Sequence, residues 1–559
     1  MLAAAVACIL ASTGAPALAR TSTVDRVRLP FPGYDGTLTP YTFSLGYPLV
    51  TLVYDTLLWR DAAGIPRPWL ARSVTRSNGG RRLTISLRDG VRWHDGRPLT
   101  AADVAFTLRF VTRHYHPRFT PGLGDIRRVQ TDGKLKLTVD LRRPSLGFDN
   151  EPLADLPILP EHLWRGLPAG RRAPRGLPVG SGPYRLVSES PKAGYVFRAN
   201  ADYALGTPRV GEIRVPIVRD ADATYDALRE RRVDMVPLNL PADVARSLGS
   251  AVGINLRSGP SYTGTALALN VRRAPFDDLA ARQAVAGAMN LERIVRKVAP
   301  AVAADQGYVH PASPWSAGAV KQRFEPEAAR RVLGSRPVSV LAPVNDPIRL
   351  EAGKQVVLAL RLAGAHATLV PRTRNQIERA TGADGSPPDF DAAIQSTPPL
   401  SSYDPDNLVR IFGSDPRDAP LNIMGYRSRA FDRHARAVAA APDEPARQRA
   451  TTAELDLLAK DVPAIALFFS QGNFAYRPAI YDGWVFIKGT GILDKRSFLP
   501  VAGAPAPEAP AAGGDPEPVG LDADSGSGLS LANIISLAVL AVVLVLAVIA
   551  LRQRRRDRR

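Results

Sequence analysis

The sequence predicts an α/β body that is exported and tethered by one C-terminal membrane helix. Three observations predict it. Stretches of period-two alternation recur between stretches of helical period along the body. An apolar N-terminal segment ends in Ala17-Leu18-Ala19, a secretory cleavage pattern. The stretch from Ser525 to Leu551 carries no charge, is long enough to span a bilayer, and runs straight into RQRRRDRR.

The body comes first. At 559 residues the chain has room for about three to four structural units. Apolar residues make up 45% and charged residues 22%, which is ordinary for a chain that buries sizeable cores. The RRLTISLR segment at 81–88 alternates as an antiparallel strand, with Leu83, Ile85 and Leu87 on one face. Gly90 turns the chain, Val91–Trp93 continues extended, and Asp95-Gly96 is a turn signal. Thr100 and Asp103 form a capping box, and Val104, Leu108 and Val111 then fall on one helical face.

Residues 134–141 alternate again, and GSGPYRLV at 180–187 reads as a glycine turn into a strand. Strands are expected at 213–218, 233–240 and 264–271, with a helix at Ala221–Arg231. One amphipathic helix is expected over Leu279–Val298. Helices at Glu325–Leu333, Glu351–Ala363 and Ala446–Leu458 alternate with strands at 338–344, 366–372 and 389–395. No internal repeat is present.

The ends set the compartment. Residues 1–19 read as a signal peptide, 502–528 as a Pro/Ala/Gly/Asp-rich stalk, 529–551 as the transmembrane helix and 552–559 as a basic cytoplasmic tail. The body then lies on the extracellular or periplasmic side of the cell membrane. Cys8, the one cysteine, falls in the leader, so the mature chain has no disulfide and no thiolate metal site. It follows Ala5-Val6-Ala7 rather than a lipoprotein pattern, so it is not read as a lipid anchor.

The net charge is +19. The tail (six Arg, one Asp) and the stalk acids Glu508, Asp515, Glu517, Asp522 and Asp524 cancel, so the body itself is strongly basic. Arg is spread throughout, and no Lys/Arg run is interleaved with aromatics, so no nucleic-acid partner is expected. There is no GxxxxGK[ST] and no HExxH. No acid/base or metal constellation supports an enzyme, and no cofactor is implied.

The order of motifs then carries a resemblance. YDTLLWRDAAGIPRPWLA, LTISLRDGVRWHDGRPLTAADVAFTL, LPVGSGPYRLV, NADYALGTPRVGEIRV, ALRERRVDMVPLNL and LALNVRRAPFDDLAARQAVAGAMNLERIV follow one another, and FDAAIQS, YDPDN and NIMGYRSRAFDRH come later. Together they resemble the extracellular solute-binding proteins of family 5, the peptide, oligopeptide and nickel branch of ABC-importer binding proteins. The resemblance spans about residues 25–500. It implies a two-lobed type II periplasmic-binding-protein-like fold with an extra small α/β domain. Lobe I would take 20–50, 178–260 and 480–501, the extra domain 51–177, and lobe II 261–479. It also implies a small-molecule or peptide ligand held by hinge closure, and ABC permease and ATPase subunits as partners. The rival reading is a sensor or adhesion ectodomain on the same fold, or a binder of a sugar, modified peptide or metal chelate. Eight residues after Leu551 leave no room for a signalling domain.

Site residues follow from the same resemblance. Peptide-binding members place a Trp-x-x-Asp before a DP turn, where the Asp neutralises the peptide's ammonium. Here those places are Pro398 and Ser401, so Asp404, or Asp406, is the substitute carboxylate, beside Tyr403. Peptide-binding members also offer an Arg to the peptide carboxylate after the strand that reads here as VSVLAPV. Asp346 stands near that place and Arg349 three residues on, so both usual anchors are missing or displaced, and the ligand is a longer or modified peptide, a sugar or another polar metabolite. Tyr41 and Phe43 fall where the N-terminal segment lines the cleft, and Tyr262 at the entry to lobe II. Amphipathic aromatics suit a cleft for varied ligands. His114 and His116 share a strand face but have no third ligand nearby, and Ser181 lacks a GxSxG elbow, so neither is read as functional. His94, Asp95 and Trp93 are read as scaffolding.

Overall fold

The computed structural model describes residues 24–500 apart from 44, 168–172, 237–239, 299–300, 305–306, 317–322 and 490–493. The expected signal peptide, stalk, membrane helix and tail lie outside the described residues. Among the described residues no helix is long and apolar enough to cross a membrane.

The architecture is mixed α/β, with three bodies built on separate cores. The first lobe holds a four-stranded sheet in the order Val24–Arg28, Val210–Val215, Gly194–Ala199, Tyr184–Ser190. Its first pair is parallel and the others antiparallel. Val27, Ile213, Phe197, Tyr184 and Trp484 form its core. The strand expected at 213–218 thus begins earlier and ends at Val215, because Pro216 has no amide to donate. The helix expected at Ala221–Arg231 spans Ala221–Arg229.

The extra body is an antiparallel meander in the order Ala71–Ser77, Arg82–Leu87, Lys136–Leu141, Ile126–Thr131. The helix Ala101–Arg113 covers it. Its capping box is present, and the Thr100 amide donates to Asp103 Oδ2 at 2.8 Å. Val104, Leu108 and Val111 are buried against Leu83, Ile85 and Val139. Val91–Trp93 joins no strand of the meander; an isolated bridge links Arg92 to Pro98.

His94 docks this body on the first lobe. Its amide donates to the Gly180 carbonyl at 2.8 Å. Its Nδ1 accepts from the Gly180 amide at 3.3 Å, so Nε2–H donates to the Gly182 carbonyl at 3.0 Å. Burial pushes its pKa down to about 4, so the ring stays neutral and this pattern holds. Gly180 and Gly182 are required at this junction. A Cβ on either would sit 1.9 Å or 2.5 Å from the carbonyl oxygens of Val53 and Leu52.

The second lobe carries a larger sheet in the order Met235–Val236, Ala464–Tyr476, Asn255–Leu269, Ala392–Thr397, Pro337–Pro343, His366–Arg372. Pro337–Pro343 and His366–Arg372 run parallel and are joined by the helix Pro347–Leu362, a βαβ crossover. The expected helix over Leu279–Val298 is instead two, Leu279–Ala288 and Leu291–Val298. Met289 turns extended, and Asn290 Oδ1 accepts the Arg293 amide at 2.9 Å, starting a new helix on the same apolar core. Of the strand expected at 233–240 only Met235–Val236 is a strand among the described residues. The strand expected at 264–271 is the end of a much longer one, Asn255–Leu269.

Candidate functional site

That long strand positions the site. Asn255–Leu269 pairs antiparallel with Ala464–Tyr476 from Asn255↔Tyr476 to Ala268↔Ala464. One end of this ribbon pairs with Met235–Val236 beside the first lobe, and the other pairs with Ala392–Thr397 in the second. The register breaks between Pro260 and Gly264, midway along the ribbon. Pro260 cannot donate to the ladder, and a bulge is where a ribbon bends. A third segment crosses here: Gly489 donates to the Pro260 carbonyl at 2.9 Å and accepts from Tyr262 at 3.0 Å.

Aromatic side chains gather at this crossover. Tyr262 lies 5.1 Å from the Tyr403 ring and 4.8 Å from His310, centroid to centroid. Tyr403 Oη donates to the Lys488 carbonyl, and the Arg60 guanidinium lies over the Tyr403 ring at 4.6 Å. The Lys488 ammonium is 5.9 Å from the Tyr262 ring centre. Ser401 is next to this group, its hydroxyl donating to the Tyr308 carbonyl at 3.1 Å. His310 and Lys488 were not expected from the sequence. They sit in irregular segments far from Tyr262 in the chain, where no periodicity marks them.

Asp404 is buried and already engaged. It pairs with Arg447, its Oδ1 takes the Asp406 amide at 3.0 Å, and its Oδ2 takes the Asn150 side-chain N–H at 3.2 Å. Asp406 pairs with the same Arg447 at 2.9 Å. Burial and the neighbouring Asp404 charge push the Asp406 carboxyl up to about 7. In this conformation Asp404 offers no free oxygen to an ammonium group; it organises a turn and an ion-pair cluster.

Asp346 and Arg349 lie at a different part of the lobe boundary. Asp346 caps the helix Pro347–Leu362, accepting the Arg349 amide at 2.9 Å, and the Arg349 guanidinium turns back to the same carboxylate. A cavity of about 790 Å³ opens beside them, with Asp222, Tyr225 and Asp243 on one wall and Lys297, Glu351 and Lys354 on the other. Tyr41 and Phe43 are half-buried elsewhere, packed with His116 at 5.2 and 5.6 Å between the first lobe and the meander. The structure therefore brings Tyr262, Ser401 and Tyr403 together and leaves the Tyr41–Phe43 and Asp346–Arg349 pairs apart. His114 stacks on Phe110 at 4.2 Å and His116 on Phe119 at 4.6 Å, both as packing rings.

Residues 66–338 match the family model for bacterial extracellular solute-binding proteins, family 5 Middle. A putative ABC transporter peptide-binding protein of Brucella ovis is 26% identical over 357 residues, 61% of this chain and 67% of the relative. The fold is similar to that of the oligopeptide-binding protein AppA from Bacillus subtilis, solved with a nonapeptide, with a TM-score of 0.75 at 19% identity over 86% of this chain and 99% of that one. It is similar also to NikZ from Campylobacter jejuni, solved with Ni(L-His), with a TM-score of 0.70 at 20% identity over 81% and 94%. The crossing ribbon, the separate cores and these likenesses agree. Residues 66–338 of the chain belong to the bacterial extracellular solute-binding proteins of family 5.

Proposed function

We propose that this chain captures a peptide-class ligand between its two lobes and hands it to an ABC importer. The observation that carries the reading is the ribbon of Asn255–Leu269 and Ala464–Tyr476. It is shared by both lobes, and one of its two register breaks falls where Tyr262, Tyr403 and Gly489 meet. Such a ribbon lets two rigid bodies rotate by small backbone changes, with the ligand held between them. Binding and closure are the whole mechanism; no bond is made or broken.

The Tyr262–Tyr403 pair with Ser401 is the ligand-facing core of this reading, and Tyr41, Phe43, Asp346 and Arg349 are its outlying contacts. Asp404 supports the cluster from behind. The peptide class rests on the similarity to the Brucella relative and on the fold shared with AppA. The uncharged segment 529–551 and the arginines after it support a single-pass anchor that keeps the body at the outer membrane face, near its permease.

The test uses the full-length chain purified in detergent. Small molecules released on unfolding are identified by mass spectrometry, and a panel of di- to octapeptides is screened by thermal shift. Peptides released from the protein, or a shift at millimolar peptide, support the reading. Release of a non-peptide ligand with no shift from any peptide overturns the peptide class. Cleavage of the chain after residue 500 should free the body from membranes; retention would overturn the C-terminal anchor.

A further inference from the structure

His310 carries a hydrogen-bond donor that no group among the described residues accepts. The residue is 2% exposed. Its Nδ1 accepts the Ala312 amide at 2.9 Å, so in the neutral ring the proton sits on Nε2. Burial, and secondarily the Lys488 charge, push its pKa down to about 4, so the neutral ring is the form present at physiological pH. Nε2 has no partner. Buried N–H groups are nearly always paired, and one left over at the seam between two lobes calls for a function.

The same residue, Ala312, also receives a cation. While the Ala312 amide donates to His310 Nδ1, the Ala312 carbonyl accepts from Lys488 Nζ at 3.3 Å. That contact uses one of the three ammonium donors. The ring is flanked by Tyr262 at 4.8 Å and Phe469 at 5.1 Å. Imidazole and ammonium thus come from different crossing segments and converge at the ribbon's register break. The Lys488 charge acts on the His310 ring, and a neutral N–H with an ammonium close enough to do so can receive an anionic oxygen between them. Arg349, the displaced candidate for such a group, is held by Asp346.

We propose that His310 Nε2–H and the Lys488 ammonium together take a carboxylate of the ligand at the lobe crossover. This deepens the reading of the cleft as a ligand site and rests on it for the location. It assigns the class of ligand group, a carboxylate such as a peptide's free C-terminus, and two specificity-determining residues. Because Nε2 is sealed from water in this conformation, the oxygen reaches it as the lobes part and the flanking rings shift.

The test follows the histidine ¹³Cε1–¹H signals of the full-length chain in detergent; seven histidines make the spectrum sparse. His310→Asn assigns the signal. It keeps an acceptor for the Ala312 amide and removes the Nε2 donor. The probes are sodium acetate, trialanine and trialanine C-terminal amide. The expected result is a saturable shift of the His310 signal with acetate or trialanine, at least tenfold weaker with the amide. Lys488→Met should weaken it tenfold or more, with the thermal midpoint within about 2 °C of the parent. A shift with acetate alone sustains the carboxylate site while counting against a peptide ligand. If neither carboxylate moves the signal, or if trialanine binds His310→Asn within twofold of the parent, the site is overturned and the Nε2–H is merely pointed at the Phe469 ring.

Discussion

Arg410 of the second lobe makes a buried ion pair with Glu151 of the meander body. Its other guanidinium nitrogen donates to the Pro117 carbonyl at 2.8 Å. Tyr115 Oη adds a bond to the Arg417 carbonyl at 3.0 Å, and Asn150 reaches Asp404. These contacts tie the extra body to the second lobe, although His94 docks it on the first. Both ion-pair partners are at least nine-tenths buried, so removing one leaves an uncompensated charge. Arg410→Ala is therefore expected to cost about 3 kcal/mol of stability, while Glu151→Leu with Arg410→Met costs less than the single change. Urea denaturation of the parent and the two variants checks this; a loss for the double change equal to or above the single would contradict it.

The acid cluster behind Tyr403 sets a pH dependence. The Asp406 carboxyl titrates near 7 in the folded protein, and burial with the Asp406 charge pushes the Glu454 carboxyl well up. Raised carboxyl pKa values mean the native state binds more protons than the unfolded one. Their effect on stability therefore falls as pH rises from about 4, the unfolded value, to about 7. Asp404, Arg447 and Glu151 are the other charges facing Asp406. Glu454→Gln and Asp406→Asn should each flatten the decline in thermal midpoint between pH 5 and pH 8. An unchanged slope in both would show that these groups do not titrate in that window.

What could be read from the sequence was local. The capping box of Thr100 and Asp103 works over four residues, so it appears in the fold as written. The alternation at Leu83, Ile85 and Leu87 likewise reports one face of one strand. The break at Asn290 was hidden because both helices bury the same apolar face and the pattern runs on through the turn. The strand Asn255–Leu269 was read only in part, since Gly259 and Pro260 look like a loop and become a strand only by pairing with Ala464–Tyr476. The site suffered most. Asp404 was visible as a carboxylate at a DP turn, but its Arg447 partner lies 43 residues on, in a helix with its own pattern. His310 stands in irregular chain and becomes notable only when Tyr262, Phe469 and Lys488 are seen around it.

Gly489 should be intolerant of a side chain. Its φ is +92°, and a Cβ would lie 2.5 Å from Tyr403 Oη and 2.6 Å from Tyr262 Cδ2. Gly489→Ala therefore combines backbone strain with a wedge between the two rings, for an expected loss of about 2 kcal/mol. Because the wedge acts at the crossover, trialanine affinity should fall by more than tenfold. Gly133→Ala, also at positive φ but with nothing within 4 Å, provides the control for strain alone. Equal stability and affinity in the two variants, measured by urea denaturation and calorimetry, would show that ring packing at Gly489 does not matter.

Lys495 and Asp55 join the two ends of the body in one buried pair, Nζ to Oδ1 at 2.7 Å, with both side chains fully sealed from water. Asp55 also accepts from Trp69 Nε1 at 2.9 Å and from Tyr203 Oη at 3.1 Å. The ammonium lies 4.2 Å and 4.9 Å from the Trp59 and Trp69 ring centres. Burial alone would drive Lys495 neutral, and the Asp55 charge opposes that. Lys495→Met removes the cation and leaves the carboxylate in a site closed to solvent, so about 3–5 kcal/mol should be lost. The neighbouring donors cannot replace a charge. Asp55→Asn combined with Lys495→Met removes the orphaned charge, and it should recover part of the loss if the penalty is electrostatic. If the double variant is as unstable as Lys495→Met, the damage comes from lost packing between the tryptophans.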